Sequence, residues 1–445
     1  MLKKSLSILA QLWGAGLLIA GIVVGALAYR QISHPVYFLL PLAILGVLGV
    51  LPASLVLLLL RARTRKVRLA VAAAYTLAIA AAIGGPAVWR GYYESPRNGG
   101  PYLVWSGDPT TTMTVCWSAE NAVPGRVEYA SEGATPWLTS DCAAAHYPKV
   151  MLKGLQPGTR YRYRVPALGP EEHPFQTAPA APQDFSFVVY GDNRQAGGLS
   201  FHRTVLRAIE REEPAHGGFR FIVNSGDIVE RAGKGHGWQW HSFLSDIAPL
   251  AASRPYEVSL GNHEAGGGST DNYEEFFDYG TPDHWRALDY AGVRFIALST
   301  QDKLEPGSPQ YAWLEKALDA RPADTRFTVV TLHKPLLTYD PRRDYNDPGR
   351  RAVLEPLFAS KGVDIVFAGH VHAYEHHRLP GFEHVITGGG GVLLWAKPTP
   401  GPETVKTETC WHFCAVDVKG NTMTVHAIRT DGSLLDAFDV VSKRP

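Results

Sequence analysis

The chain has 445 residues, a net charge of +1 and 19% charged residues, so it has neither the basic footprint of a nucleic-acid binder nor an acidic tail. Its length exceeds one ordinary core and suggests about three units.

Taken in chain order, the first feature is an absence of charge. No Asp, Glu, Lys or Arg lies between Lys4 and Arg30, between Arg30 and Arg61, or between Arg68 and Arg90. Each stretch reaches the roughly 20 apolar residues that a helix needs to cross about 30 Å of hydrocarbon. The pattern predicts a membrane region over 1–92 with three helices at about 5–29, 36–60 and 69–89. Lys3, Lys4, Arg61, Arg63, Arg65, Lys66 and Arg68 on one side outnumber Arg30, Arg90 and Arg97 on the other, which places the N-terminus in the cytoplasm. Everything after about residue 95 is then extracytoplasmic. The alternative for the first segment is a cleaved signal peptide ending near Ala26-Leu27-Ala28, which leaves this topology unchanged.

From 99 to 179 the pattern has period two: T-M-T-V-C-W-S sets Met113, Val115 and Trp117 on one face, and R-Y-R-Y-R-V does the same for Tyr161, Tyr163 and Val165. Such alternation predicts half-buried strands. The turn L-Q-P-G-T-R-Y reads as a sandwich corner in which a Tyr hydroxyl ties back to the chain. An all-β, fibronectin type III-like sandwich results, followed by the short linker T-A-P-A-A-P-Q.

Over 184–445 continuous apolar runs (F-S-F-V-V-Y, F-R-F-I-V-N, V-R-F-I-A-L, F-T-V-V-T-L, V-D-I-V-F-A) alternate with amphipathic stretches such as H-R-T-V-L-R-A-I-E-R and Q-Y-A-W-L-E-K-A-L. Runs of this kind read as strands covered on both faces, giving an α/β layered domain with ligands on loops at strand carboxyl ends. Four cysteines in an oxidising compartment either pair or pack as small hydrophobes. Cys116 and Cys142 are candidates for one bridge. Cys410 and Cys414 on a single strand would stand about 13 Å apart, so their pairing needs a turn between them.

The chemistry-bearing residues stand at the ends of those runs: Asp192 in Y-G-D-N-R, Asp227 in S-G-D-I-V-E, Asn262 and His263 in G-N-H-E, His333 in T-L-H-K-P, and His370 and His372 in G-H-V-H. Oxygen ligands combined with imidazoles suit divalent zinc, manganese or iron. The glycines before Asp192, Asp227, Asn262 and His370 are expected to turn the backbone under an ion. His376 and His377 are expected on the rim of the site, and the run from Gly388 in a tight loop beside it. His236, Trp238, Trp240 and His241 either line a pocket or pack a helix start. Any one of these signals is weak, but five in this order, each after a predicted strand, are specific.

Together the residues resemble the calcineurin-like metallophosphoesterases and, within them, the purple acid phosphatases. G-N-H-E, V-T-L-H and G-H-V-H-A-Y-E-H look like that subfamily's third, fourth and last metal motifs, and D-G-S-L-L-D-A-F resembles its closing strands. The resemblance covers about 99–440. It implies a layered αββα metallophosphatase domain with two ions (Fe, Zn or Mn). Asp227 would be shared, Asn262, His333 and His370 would complete the second ion's ligands, and Asp192 and His372 would hold the first. His263 would donate a proton to the leaving oxygen, with Glu264 available to orient its ring.

Two positions depart from the family pattern. Glu230 stands where the purple enzymes carry a Tyr ligand, and Arg194 where related enzymes carry a His ligand. Glu230 is either a substitute ligand or a solvated or salt-bridged carboxylate. Arg194 either forks two phosphate oxygens or pairs with a nearby carboxylate. The expected function is hydrolysis of phosphomonoesters outside the membrane, by an enzyme tied to the lipid bilayer. The alternatives are phosphodiesterase action on nucleotides or lipid head groups, and an adhesion protein with a vestigial metal fold.

Overall fold

Alternating side chains open the part of the chain that the computed structural model describes, which comprises residues 99–195, 200–233, 236–266, 270–277, 279–341 and 347–444. The three expected membrane helices, at about 5–29, 36–60 and 69–89, lie outside the described residues. Among the described residues no helix is long and apolar enough to cross a membrane.

Seven strands come first: β1 (Gly99–Val104), β2 (Thr112–Ser118), β3 (Val123–Ser131), β4 (Leu138–Ala145), β5 (Lys149–Lys153), β6 (Arg160–Arg164) and β7 (His173–Gln176). They form a three-stranded sheet, β1-β2-β5, and a four-stranded sheet, β4-β3-β6-β7. Met113, Val115 and Trp117 share one buried cluster with Tyr161, Tyr163 and Val165, as period two requires. The corner is closed as expected, with the backbone N–H of Gln156 donating to Tyr161 Oη at 2.9 Å.

The second part runs β8 (Phe185–Tyr190), α1 (His202–Glu212), β9 (Phe219–Asn224), α2 (Gly237–Ala251), β10 (Tyr256–Val258), α3 (Asp271–Phe276), β11 (Arg286–Tyr290), β12 (Val293–Ala297), α4 (Pro309–Asp319), β13 (Phe327–Thr331), α5 (Pro348–Lys361), β14 (Ile365–Ala368), β15 (Tyr374–Leu379), β16 (Phe382–Thr387), β17 (Thr404–Glu408), β18 (His412–Lys419), β19 (Thr422–Arg429) and β20 (Leu434–Val441). Six strands pair in the order β10-β9-β8-β18-β19-β20, and seven in the order β11-β12-β13-β14-β16-β15-β17. Strands β8, β9 and β10 run parallel, as do β12, β13, β14 and β16.

Alternation within each strand builds the layers. Phe187 and Val189 of β8 face a common core with Val329 of β13 and Phe367 of β14, while Val188 and Tyr190 face Val205 of α1 and Leu244 of α2. On the other sheet Val330 and Val366 face Leu314 of α4 and Phe358 of α5. The two sheets therefore stack with helices outside both. Helices α4 and α5 start where the sequence allows: Ser308 and Asp347 cap the first turns by accepting from Tyr311 N and Arg350 N, with a proline at the first helical position of each.

All four cysteines are free thiols, so neither expected bridge forms. Cys116 points into the helix-side core, whereas Cys142 packs against the inter-sheet core, so the two thiols face different interiors. Between Cys410 and Cys414 the chain enters β18 directly, without the turn that a bridge requires.

Three buried histidines are held uncharged. Burial, aided by the nearby charge of Arg203, pushes His202 down to about 3; burial pushes His412 down to about 4 and His384 well below its usual value. Their folded values lie below the unfolded one, so their contribution to stability is present above about pH 6.5 and is lost as pH falls. Each histidine is expected to cost roughly 1.4 kcal/mol per pH unit below that point until its own folded value is reached. Because burial of Asp192 and Glu264 works in the opposite sense over the same range, the check is a comparison: the fall in Tm from pH 7 to pH 5 should be smaller in His202→Gln than in the parent, and an equal fall would contradict this.

Candidate metal centre

The parallel strands deliver the chemistry-bearing residues to one edge of the stacked sheets. Asp192 follows β8, Asp227 follows β9, Asn262, His263 and Glu264 follow β10, His333 follows β13, and His370 and His372 lie between β14 and β15. The sharp turns fall on the functional residues themselves, since Asp192 (φ 57°), Asp227 (φ 57°) and His370 (φ 70°) all adopt left-handed conformations. Of the glycines before them only Gly226 (φ 100°) does so. Strain of this kind costs about 1–3 kcal/mol per residue and marks functional sites. The preceding glycines serve close approach instead: a Cβ on Gly369 would stand 2.5 Å from Asp192 Oδ2 and 2.7 Å from Ser225 Oγ.

The arrangement around His333 is the most informative. Its Nδ1 lies 2.8 Å from the Ser225 carbonyl oxygen, which can only accept, so the proton sits on Nδ1 and Nε2 presents its lone pair. That Nε2 stands 3.1 Å from Asn262 Oδ1, 3.1 Å from His370 Nδ1 and 3.2 Å from Asp227 Oδ1. The ligand atoms of Asp227, His333 and His370 lie within 4.8 Å of one another, and all three residues are buried. One added proton can bridge one such contact and leaves the others as lone pair against lone pair. A divalent cation satisfies all of them together. Burial opposes a charge on His333, yet Asp227 and Asp192 outweigh it and lift the imidazole to about 9. Burial also works against an ionised Asp227, but His333, His263 and Arg194 hold its carboxyl well below the usual range.

A second pair of donors adjoins the first group. His372 Nδ1 donates to the Leu393 carbonyl at 3.1 Å and turns Nε2 toward Asp192 Oδ1, 3.6 Å away. Asp192 Oδ2 accepts the backbone N–H of His370 at 2.6 Å, while the buried Asp192 Oδ1 has no hydrogen-bond partner among the described residues. Burial lifts the Asp192 carboxyl to about 7, with His333 pulling the other way. Buried carboxylate oxygens are normally satisfied, so an unpartnered one beside an imidazole nitrogen fits a cation position. These donor sets are compatible with zinc, manganese or iron.

The structure corrects the expected role of Glu264. Its carboxylate is fully buried and accepts four backbone N–H groups: Asp227 (2.8 Å), Ile228 (2.8 Å), Val229 (3.1 Å) and Gly261 (3.0 Å). No oxygen is left to orient His263. That ring is held by the Glu230 carbonyl, 2.6 Å from Nδ1, so Nε2 is its free nitrogen, 3.7 Å from Asp227 Oδ2. Arg194 is equally constrained, with its side chain 6% exposed and Nη1 paired with Glu230 Oε2. Its Nε lies 3.5 Å from Asp227 Oδ2. Of the two sequence alternatives the ion pair is the one formed, and a guanidinium held this way is not available to fork a phosphate.

Other expectations are revised by burial. His376 and His377 are fully buried in β15, not on a rim. His376 bonds Asp436 and Glu383, and His377 bonds Glu375, because consecutive strand residues face the two covered sides of the sheet. Trp240 stacks on Phe276 inside the helix-side core, the packing alternative for that residue. Gln239, which the sequence reading passed over, accepts the backbone N–H groups of Glu230 (2.7 Å) and Arg231 (3.0 Å) and fixes the Glu230 loop. The glycine run packs beneath the site as expected, since a Cβ on Gly388 would meet Asp192 Oδ2 at 3.0 Å.

Residues 185–374 match the calcineurin-like phosphoesterase family, and residues 99–177 match the purple acid phosphatase N-terminal domain. Over these two regions the chain is similar, in order, to a purple acid phosphatase N-terminal domain and a calcineurin-like phosphoesterase domain. Several of the curated relatives it matches are named purple acid phosphatases. Purple acid phosphatase 18 of Arabidopsis thaliana is 27% identical over 292 residues, covering 60% of this chain and 63% of that protein. Purple acid phosphatase 22 of Arabidopsis thaliana is 28% identical over 319 residues, covering 64% and 70%. Among solved structures, a purple acid phosphatase from yellow lupin (Lupinus luteus) seeds superposes with a TM-score of 0.68 at 20% identity, covering 77% of this chain and 74% of that one, a likeness of fold. The chain spans 63% of the first of these relatives. The matches support a phosphoesterase hydrolase.

Proposed function

We propose that the protein hydrolyses phosphate monoesters at a site built to hold two divalent metal ions, in a catalytic unit spanning 184–445. The observation that carries this reading is the convergence of Asn262 Oδ1, Asp227 Oδ1 and His370 Nδ1 on His333 Nε2 at 3.1–3.2 Å. Divalent ions held by Asp227, Asn262, His333 and His370, and by Asp192 and His372, would supply Lewis-acid polarisation and make a bound water more acidic. The chain's own residues do the rest. Ser225 and Leu393 set the tautomers of His333 and His372 through their carbonyls, as the outer partners of metal-binding imidazoles do. His263, fixed at Nδ1 by the Glu230 carbonyl, gives a proton from Nε2 to the leaving oxygen in its doubly protonated form, which burial disfavours and the charge of Asp227 favours. We further propose that residues 1–92 anchor the enzyme in a membrane, with the catalytic face extracytoplasmic.

The full chain, purified and reconstituted with Mn²⁺ or Zn²⁺, should turn over p-nitrophenyl phosphate faster than bis-p-nitrophenyl phosphate. Absence of both bound metal and turnover would sink the enzymatic reading, and the opposite preference would make it a diesterase. His263→Ala should keep its metal and lose roughly 10²–10⁴-fold in kcat on an alkyl phosphate, whose leaving group needs a proton. A reporter fused after Arg68 should be cytoplasmic, and an external reporter would overturn the proposed topology.

A further inference from the structure

The two donor groups differ in a way that the charges explain. Around His333, three residues from three other strand ends converge. Beside it the second group offers Asp192 and His372 together with the carboxylate of Asp227, whose two oxygens are divided. Oδ1 faces His333 at 3.2 Å, while Oδ2 faces the guanidinium of Arg194 at 3.5 Å. Glu230, a further carboxylate here, is buried and engaged by that guanidinium. Arg194 also acts on Asp192 through its charge.

Four buried carboxylates (Asp192, Asp227, Glu230 and Glu264) and one buried guanidinium (Arg194) leave, in the ionised state that binds metal, a net charge of −3, since −4 and +1 sum to −3. The four backbone N–H groups on Glu264 stabilise its charge without removing it. One divalent ion leaves the pocket at −1. A second leaves a buried excess of +1, which low-dielectric surroundings penalise until a dianion such as a phosphate monoester enters.

Resting on the two-metal reading above, we propose that the two ions are unequal. One is resident among Asp227, Asn262, His333 and His370, and the other enters the Asp192–His372 position together with the phosphate, because Arg194 already serves as a built-in cation there. Phosphate and the second ion must then raise each other's affinity by the same factor.

The test is equilibrium dialysis of the metal-free full chain against Mn²⁺, with and without inorganic phosphate, followed by electron paramagnetic resonance. It is run in a His426→Ala background so that the remote His216–Asp417–His426 group adds no ion. One tightly held Mn²⁺ per chain without phosphate, and a second with phosphate at an affinity improved on the order of 10-fold or more, supports the proposal, as does a spin-coupled signal that requires phosphate. Two equally tight ions without phosphate overturn it. No bound ion at all overturns the two-metal reading itself. Arg194→Met should admit the second ion without phosphate. If that variant does not fold, Glu230→Gln replaces it: the pocket then carries −2, and resident-ion affinity should fall on the order of 10-fold. Unchanged binding in the variant that folds refutes the charge argument.

Discussion

Replacing His333 with alanine is expected to release the resident ion and to lower kcat by more than about 100-fold, beyond the 10–100-fold typical of losing a residue that merely supports a metal ligand. Its Nε2 is the point on which Asn262, His370 and Asp227 converge, so removing it opens the centre of the donor group. The change also leaves the Ser225 carbonyl without its partner, and a melt must accompany the assay. Metal content measured on the folded fraction decides the matter. A folded His333→Ala protein that keeps its full metal content would place the ions elsewhere and remove the basis of the proposed function.

Much of this site could be read from the sequence because strand ends and ligand-type residues coincide. Apolar runs such as F-S-F-V-V-Y and F-T-V-V-T-L did become β8 and β13, and each hands the chain directly to a donor, Asp192 or His333. Side-chain identity carries that information. The contacts that were not legible depend on what side-chain identity does not encode. The partners of His333, His372 and His263 are the carbonyls of Ser225, Leu393 and Glu230, and every residue type has a carbonyl. Arg194 and Glu230 are 36 positions apart, so their pairing depends on how the loops after β8 and β9 meet. The same holds for the cysteines: Cys116 and Cys142 face different cores, which depends on strand register rather than spacing. His376 and His377 look like an extension of G-H-V-H, but β15 begins at Tyr374 and turns both into buried sheet positions.

Glu264 gives the other large expected effect, one that separates the structure from the sequence reading. An orienting partner of His263 would, when changed to glutamine, slow catalysis and leave folding alone. The structure instead makes Glu264 the tie between the loop after β9 and the loop after β10, through bonds from Asp227, Ile228, Val229 and Gly261. Glutamine keeps one carbonyl oxygen but turns an amide toward backbone donors, so the isosteric change still breaks part of the set. Alanine leaves four N–H groups without an acceptor, and unmet buried donors cost about 1–3 kcal/mol each, less where water enters. Glu264→Ala is therefore expected to lose roughly 3–5 kcal/mol, lowering Tm by on the order of 10 °C, and Glu264→Gln somewhat less. The loss should be as large in metal-free protein, because the bonds need no ion and ligand linkage is then absent. Equal melting of Glu264→Gln and the parent in chelator, with kcat reduced, would restore the orienting role. A fall in Tm that persists without metal would mean that Glu264 holds Asp227 in its left-handed turn, and that the metal motifs are built on a scaffold formed before any ion binds.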